Sequence, residues 1–281
     1  MKRKMIWILC TIAALIAAVI IWFLIPYSPT KNQFRNDVQK HLYLSSSTHT
    51  GIFTEETITP LPELIQNHIK AAGLIGQPIP TNIRAFMPSV RLYQSRDSYP
   101  LIIDYTLYLF ANPVRMAYIR TSLFGIPFEG YDSTQEGVGF MRGVIGKLFT
   151  LFNETGPHMD RGQLLTWLGE APLLPSILLS EYITWEAMDA SHVRATLNYK
   201  GISGSGVFTF NENGLIHSFH TYDRARTETD GSIEYLRWSA VIDGWRRDES
   251  GIYIPALIRA TWHEDEGDLV YFSADGFEMG K

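Results

Sequence analysis

Residues 5–25, MIWILCTIAALIAAVIIWFLI, carry no charge. Wound as a helix, such a run reaches across the ~30 Å hydrocarbon core of a bilayer. Lys2, Arg3 and Lys4 stand before it, and Trp7 and Trp22 lie near its ends. Cations on the cytoplasmic flank and aromatics at the interfaces are the marks of a membrane span. The run predicts an N-terminal transmembrane anchor over residues 1–25, single-pass in the cell membrane. The N-terminus is then cytoplasmic and the rest of the chain extracytoplasmic. The alternative is a cleaved signal peptide, whose apolar region is about 7–15 residues and ends in small residues. Here the run is longer and PYSPTK follows it. A lipoprotein site at Cys10 would need a small residue just before the cysteine, and Trp7-Ile8-Leu9 does not supply one.

The remainder must fold on its core alone. Cys10 is the only cysteine, which excludes intrachain disulfides and cysteine-based metal sites. No metal and no cofactor is expected. Three of the 24 Lys and Arg precede the apolar run, leaving 21 against 29 Asp and Glu, a balance of -8. That acidity argues against nucleic acid as a partner. Residues 26–60 are polar and mixed, and read as a juxtamembrane spacer with a short helix around 34–41. His41 and His49 read as solvated. Residues 61–281 read as one extracytoplasmic β-rich domain.

Within that domain, LPELIQNHIKAA at 61–72 is an amphipathic helix, with Pro62 early and Gly73 placed to end it. His68 falls on its apolar face and reads as a packing residue. Strand patterns follow at 90–94, 101–110, 114–123 and 126–132. In the second of these Ile103, Tyr105, Leu107 and Leu109 alternate with Asp104, Thr106, Tyr108 and Phe110, so both faces have reason to be buried. GVGFMRGVIG at 137–146 has the wrong spacing and context for a dinucleotide loop and reads as a bulged strand. From His192 turn chemistry recurs at 211–214, 230–231, 250–251 and 266–267, marking six strands near 192–200, 206–211, 215–223, 233–243, 252–263 and 268–277.

Between the two β blocks lies GPHMDRGQLLTWLGEAPLLPSILLSEYITWE, residues 156–186. Asp160 with Gln163 resembles a capping box, Leu164, Leu165 and Leu168 form an apolar stripe, and Gly169 can close a helix of about nine residues. Pro175 starts a second short turn. The fold class is therefore mainly β (α+β): a curved antiparallel sheet or incomplete barrel, with one or two short inserted helices and 160–179 as the inserted element.

No catalytic motif survives inspection. Residues 201–206, GISGSG, break G-x-S-x-G at its last position. His217 and His220 point to opposite faces of a strand. HEDE at 263–266 reads as a solvated hairpin tip. The acidic candidates for general acid–base work are Asp160 and Glu170, with His158 beside them. Asp132 flanks the block, and Arg142, Arg161 and Arg224 are available to neutralise it. Trp167, Trp185, Trp238 and Trp262 are either core or the wall of an apolar ligand cavity; with Asp132, Arg142 and Arg224 they form the candidate ligand-binding set.

The runs GYD (130–132), GVGFMRG (137–143), DRGQLLTWLGEAPLLPSILL (160–179) and ITWE (183–186), continued by IYIP (252–255), TWH (261–263) and Gly267, resemble an uncharacterised family of bacterial proteins, a domain of unknown function. The resemblance spans residues 60–278. Pro172 departs from it, since an aromatic is common there. The β-rich pattern is similar to that of half-barrel lipoprotein carriers and sensor domains of bacterial envelopes. The resemblance brings no established activity with it. The leading expectation is a membrane-anchored binding module for a lipid-like or apolar ligand or an envelope partner. An envelope hydrolase using the 158–170 block and a purely structural assembly module are the alternatives. No specific protein partner is implied.

Overall fold

The computed structural model describes residues 2–46, 51–228 and 230–280; His49 lies outside them. Helix α1 (Lys2–Leu24) has no buried residue, and it carries the one stretch among the described residues long and apolar enough to cross a membrane. Helix α2 (Pro29–Ser46) is longer than the short helix expected there, and it is docked rather than solvated. Thr30, Phe34, Val38 and His41 are buried on its inner side. His41 is therefore no free linker residue: its ring packs near Phe110 and its Nε2 shares a 3.0 Å hydrogen bond with Gln135. The sequence hid this because the apolar stripe is short, Phe34 and Val38 with Leu42 partly buried beside them, in a helix that is otherwise largely polar.

Helices α3 (Glu55–Ile58) and α4 (Glu63–Ala71) follow. Gly73 ends α4 as expected, at φ 78°, with Gly73 N donating to Lys70 O and Leu74 N to Ile69 O, the paired bonds that satisfy a helix's last carbonyls. His68 is fully buried, and its Nδ1 accepts from Ile216 N at 3.2 Å.

The first β block is a six-strand meander: β1 (Asn82–Leu92), β2 (Leu101–Phe110), β3 (Val114–Leu123), β4 (Ile126–Gln135), β5 (Val138–Ile145) and β6 (Phe149–Thr155). Helix α5 (Pro157–Gly169) and a 3-10 turn (Pro175–Leu179) then lead to β7 (Ile183–Ala187). The second block runs through β8 (His192–Tyr199), β9 (Ile202–Phe210), β10 (Ile216–Thr221), β11 (Ala225–Thr227), β12 (Ile233–Tyr235), β13 (Arg237–Ile242), β14 (Trp245–Arg247), β15 (Tyr253–Pro255), β16 (Leu257–Glu264), β17 (Gly267–Asp275) and β18 (Glu278–Gly280). The six strands expected from turn chemistry correspond to β8, β9, β10, β13, β16 and β17, but those expected at 233–243 and 252–263 are each broken, with β12 and β15 split off from the main sheet. The pairs β11–β12 and β14–β15 are small separate hairpins.

All main-sheet pairings are antiparallel, in the order β6-β5-β4-β3-β2-β1-β17-β16-β13-β10-β9-β8-β7, with β18 also on β1. The two meanders are thus joined where the first strand meets the last, and the two free edges are β6 and β7, adjacent in the chain. The segment between those edges is α5 with its 3-10 turn. It crosses the inner face and touches β3, β4, β5 and β6 on one side and β9, β10, β11 and β13 on the other. The sheet is a large open antiparallel sheet whose gap is bridged by this insert. Leu164, Leu165 and Leu168 are buried to within 1% as its packing stripe.

The alternation in β2 now has its cause. Ile103, Tyr105, Leu107 and Leu109 join the inner core under α5. Tyr108 and Phe110 join a second, smaller core under α2, with Phe34, Val38, Tyr118 and Tyr131.

Candidate functional site

Helix α5 begins earlier than the sequence suggested. Pro157 occupies its first turn and Gly156 is the N-cap, with no side-chain cap. Proline's fixed φ suits a first helical position, so Asp160 lies inside the helix and is not the cap. Its Oδ1 instead accepts from Gly139 N at 2.7 Å. Gly139 is required by this approach: a Cβ there would sit 2.6 Å from Met159 O. Gln163 is likewise no capping partner, since its Oε1 accepts from Arg115.

With Leu164, Leu165 and Leu168 turned to the packing side, Met159, Gln163, Thr166 and Glu170 form another stripe, at spacings of four, three and four. That spacing is one helix face. The stripe borders a cavity of about 280 Å³ between α5 and the sheet. Its sheet walls are apolar along Leu92, Ile103, Ile119, Met141, Ala260 and Phe272, with Trp238, Trp262 and Tyr271 on the second block.

The polar side of the cavity is organised by Arg115, whose side chain is 3% exposed. Its Nε donates to Glu170 Oε2 at 2.8 Å, its Nη1 to Asp132 Oδ2 at 2.8 Å and to Gln163 Oε1 at 3.3 Å, and its Nη2 to the Tyr105 hydroxyl. A guanidinium is a suitable hub because its fork of donors can hold two carboxylates at once. Burial alone would lower the Arg115 pKa, but Glu170, Tyr105 and Asp132 more than offset it and hold the charge. Burial raises the Glu170 pKa despite the pull of Arg115. Asp132 keeps one buried oxygen, Oδ1, with no protein partner.

On the other side Arg224 ties α5 to the second block. Its Nε donates to Thr166 Oγ1 of α5 at 3.1 Å. Its guanidinium carbon lies 4.8 Å from the Trp238 ring centre and 5.0 Å from that of Trp262. Those two indoles are direct cross-strand partners on β13 and β16. Trp238 Nε1 donates to the Tyr271 hydroxyl at 3.0 Å, so its polar edge is satisfied and its face is left for packing.

Of the residues singled out from sequence, Asp132, Glu170, Arg224, Trp238 and Trp262 come together here. Asp160, Arg161 and His158 do not line the cavity, so the acidic block is not assembled as an acid–base pair. Trp167 is fully buried with Nε1 donating to Phe110 O at 2.8 Å. Trp185 packs on Phe208. Arg142 points to the outer face and donates to Gln33 of α2 at 2.7 Å. Sequence reasoning missed Arg115, Tyr105, Gln163, Thr166 and Tyr271. Arg115 did leave a signal, as the one charge in the apolar start of β3, VRMAYI. A charge in such a run must be paired.

A family model matches residues 51–274. The chain belongs to DUF6544, a family of unknown function. No curated protein matches this DUF6544 chain. Among solved structures it is similar to a LolA superfamily protein from Nitrosomonas europaea, at 10% identity and a TM-score of 0.39, over 78% of this chain and 90% of that one. It is also similar to a domain assigned to outer membrane lipoprotein sorting from Vibrio parahaemolyticus, at 10% identity and a TM-score of 0.42, over 78% and 92%. A third likeness, to a DUF1329 family protein from Desulfovibrio piger, has 8% identity and a TM-score of 0.35 over 78% and 92%.

Proposed function

We propose that this chain is a membrane-anchored binding module whose sheet domain, on the outer side of the cell membrane, holds a small apolar or amphipathic ligand beneath α5. The observation that carries the reading is the cavity itself. Its 280 Å³ is at the lower edge of the ~300–1,000 Å³ of small-molecule sites. That suits one short chain or ring system and not a diacyl lipid. Apolar walls with fixed polar groups set among them, here the Arg115 cluster and Arg224, are what orient such a ligand. The Asp132 and Glu170 carboxylates border it as polar groups, and the aromatic wall offers it area.

The anchor reading is supported by the uncharged run at 5–25 and the three cations before it. Packing adds to this. Lys147 Nζ donates to Trp22 O and Phe23 O, both at 3.0 Å, and to Ile25 O. A chain cleaved after this helix would strip a buried lysine of all three acceptors.

To test the ligand reading, the full chain is purified in detergent, extracted with organic solvent and the extract analysed by mass spectrometry. In parallel it is titrated with the uncharged probe N-phenyl-1-naphthylamine while tryptophan emission is followed. Saturable quenching that Trp238→Phe diminishes is expected. A folded chain with no extractable molecule and no saturable response sinks the reading. Resistance of the full chain to alkaline carbonate extraction tests the anchor separately.

A further inference from the structure

We propose that the tips of the β3–β4 and β5–β6 hairpins are a second membrane contact, dipping into the bilayer beside α1; this rests on α1 being the membrane span proposed above.

The two tips are apolar and open. Phe124 is 104% exposed, Phe149 70%, Leu148 61% and Leu151 54%. Side chains of this size are normally turned inward on a soluble face, and a cluster of them marks an interaction surface. The one charge in either tip, Lys147, is 7% exposed and spent on the carbonyls that end α1. Trp22 Nε1 returns a bond to Gly146 O at 3.1 Å. The β5–β6 turn is therefore fixed to the exit end of the span at four points.

The depth follows from what the tip touches. Leu148 and Phe149 share a groove with Leu15, Ala18 and Val19 of α1, and Ile126 lies in it too. At 1.5 Å per residue, Val19 is about 9 Å and Leu15 about 15 Å along the helix from Ile25. Side chains level with those residues lie inside the apolar layer whenever α1 spans it. The level of Val19 falls within the ~5–10 Å depth at which amphipathic surfaces seat below the headgroups, whereas that of Leu15 is near the middle of a ~30 Å layer. Above the tips, Lys31, Arg35, Arg84 and Arg120 border one groove whose only carboxylate among the described residues, Asp104, pairs with Arg120 at 2.6 Å, which leaves a basic collar at the headgroup level. The occupant that this surface fits is the lipid already around α1, because groove and span are continuous.

The test uses the full chain in phosphatidylcholine–phosphatidylglycerol vesicles that contain doxyl-labelled lipid quenchers. In a Cys10→Ala background, Phe124→Cys and Phe149→Cys are labelled with an environment-sensitive fluorophore. Val138→Cys, on the 61% exposed residue at the opposite end of the strands, serves as the control. Labelled Cys10 in the otherwise native chain reports the span. Labels at 124 and 149 are expected to be quenched at least threefold more than at 138, and more by shallow than by deep doxyl groups. If Cys10 is quenched while 124 and 149 behave as 138, lipid contact is refuted and the anchor stands. An unquenched Cys10 removes the anchor and the proposal together.

Discussion

Arg115 of β3 and Glu170, the residue that caps the C-terminus of α5, stand 55 positions apart in the chain and meet at 2.8 Å. A carboxylate at a helix C-terminus faces the negative end of the helix dipole, so Glu170 is tolerable there only because Arg115 neutralises it. The contact fixes the end of the insert to the first meander and supplies one wall of the cavity. Replacing Arg115 by Met leaves two largely buried carboxylates unpaired, which should cost about 3–5 kcal/mol. Adding Glu170→Gln and Asp132→Asn should restore part of that. Urea unfolding of the full chain in detergent measures both, and no recovery in the triple variant would show that the loss is one of packing.

The second prediction concerns pH. Burial pushes the His68 pKa down to about 3, while in the unfolded chain it lies near 6.5. Above pH 6.5 both states are neutral and the stability is complete. As pH falls from 6.5 toward 3 only the unfolded state gains the proton, so stability drops by at most about 1.4 kcal/mol per pH unit. His68→Gln should flatten this acid arm. Equal slopes for the two proteins between pH 6 and 4.5 would exclude His68 as its source.

Gly139 tests how tightly α5 is seated. Because a Cβ there meets Met159 O at 2.6 Å, Gly139→Ala must push the start of the helix off β5 and should cost about 1–3 kcal/mol by overpacking. It should also weaken probe binding, since Met159 borders the cavity. A variant as stable as the parent would mean that the helix start is loose.

Arg224→Ala removes the cation over the Trp238 and Trp262 rings, an interaction of ~0.5–2 kcal/mol. Tryptophan emission should shift to the red as the indoles gain water. That energy should appear as lost stability in urea unfolding, and probe affinity should fall as the indoles lose their fixed places on the cavity wall. Unchanged emission would place the guanidinium elsewhere in solution.

Much of the fold could be read from the chain. Period-two alternation and recurrent turn residues located most strands of the two meanders but not β6 or β7, and caught only the end of β1; the leucines of α5 announced its packing side. The site was less legible, for a physical reason. Its polar residues come from β2, β3, β4, α5 and the β10–β11 connection, so no spacing in the sequence unites them. The stripe Met159, Gln163, Thr166 and Glu170 has helical period, yet it lies beside an apolar stripe on a helix buried on both sides, which erases the contrast that usually reveals a face. Asp160 misled because S/T/D three residues before Glu or Gln suits a cap, while Pro157 had already set the helix start.

The pairing of the first strand with the C-terminal strands also governs how this protein reaches its native state. Arg91 on β1 lies opposite Ser273 on β17, roughly 180 residues later. Each meander can form from neighbours in sequence, but their union must wait for nearly the whole domain to be synthesised, and closing so long a loop is slow. Until then β1 is an unpaired edge, open to pairing with other chains. A chain shortened before β17 would keep that edge for good, so loss of the C-terminal strands should cause self-association rather than a smaller working domain.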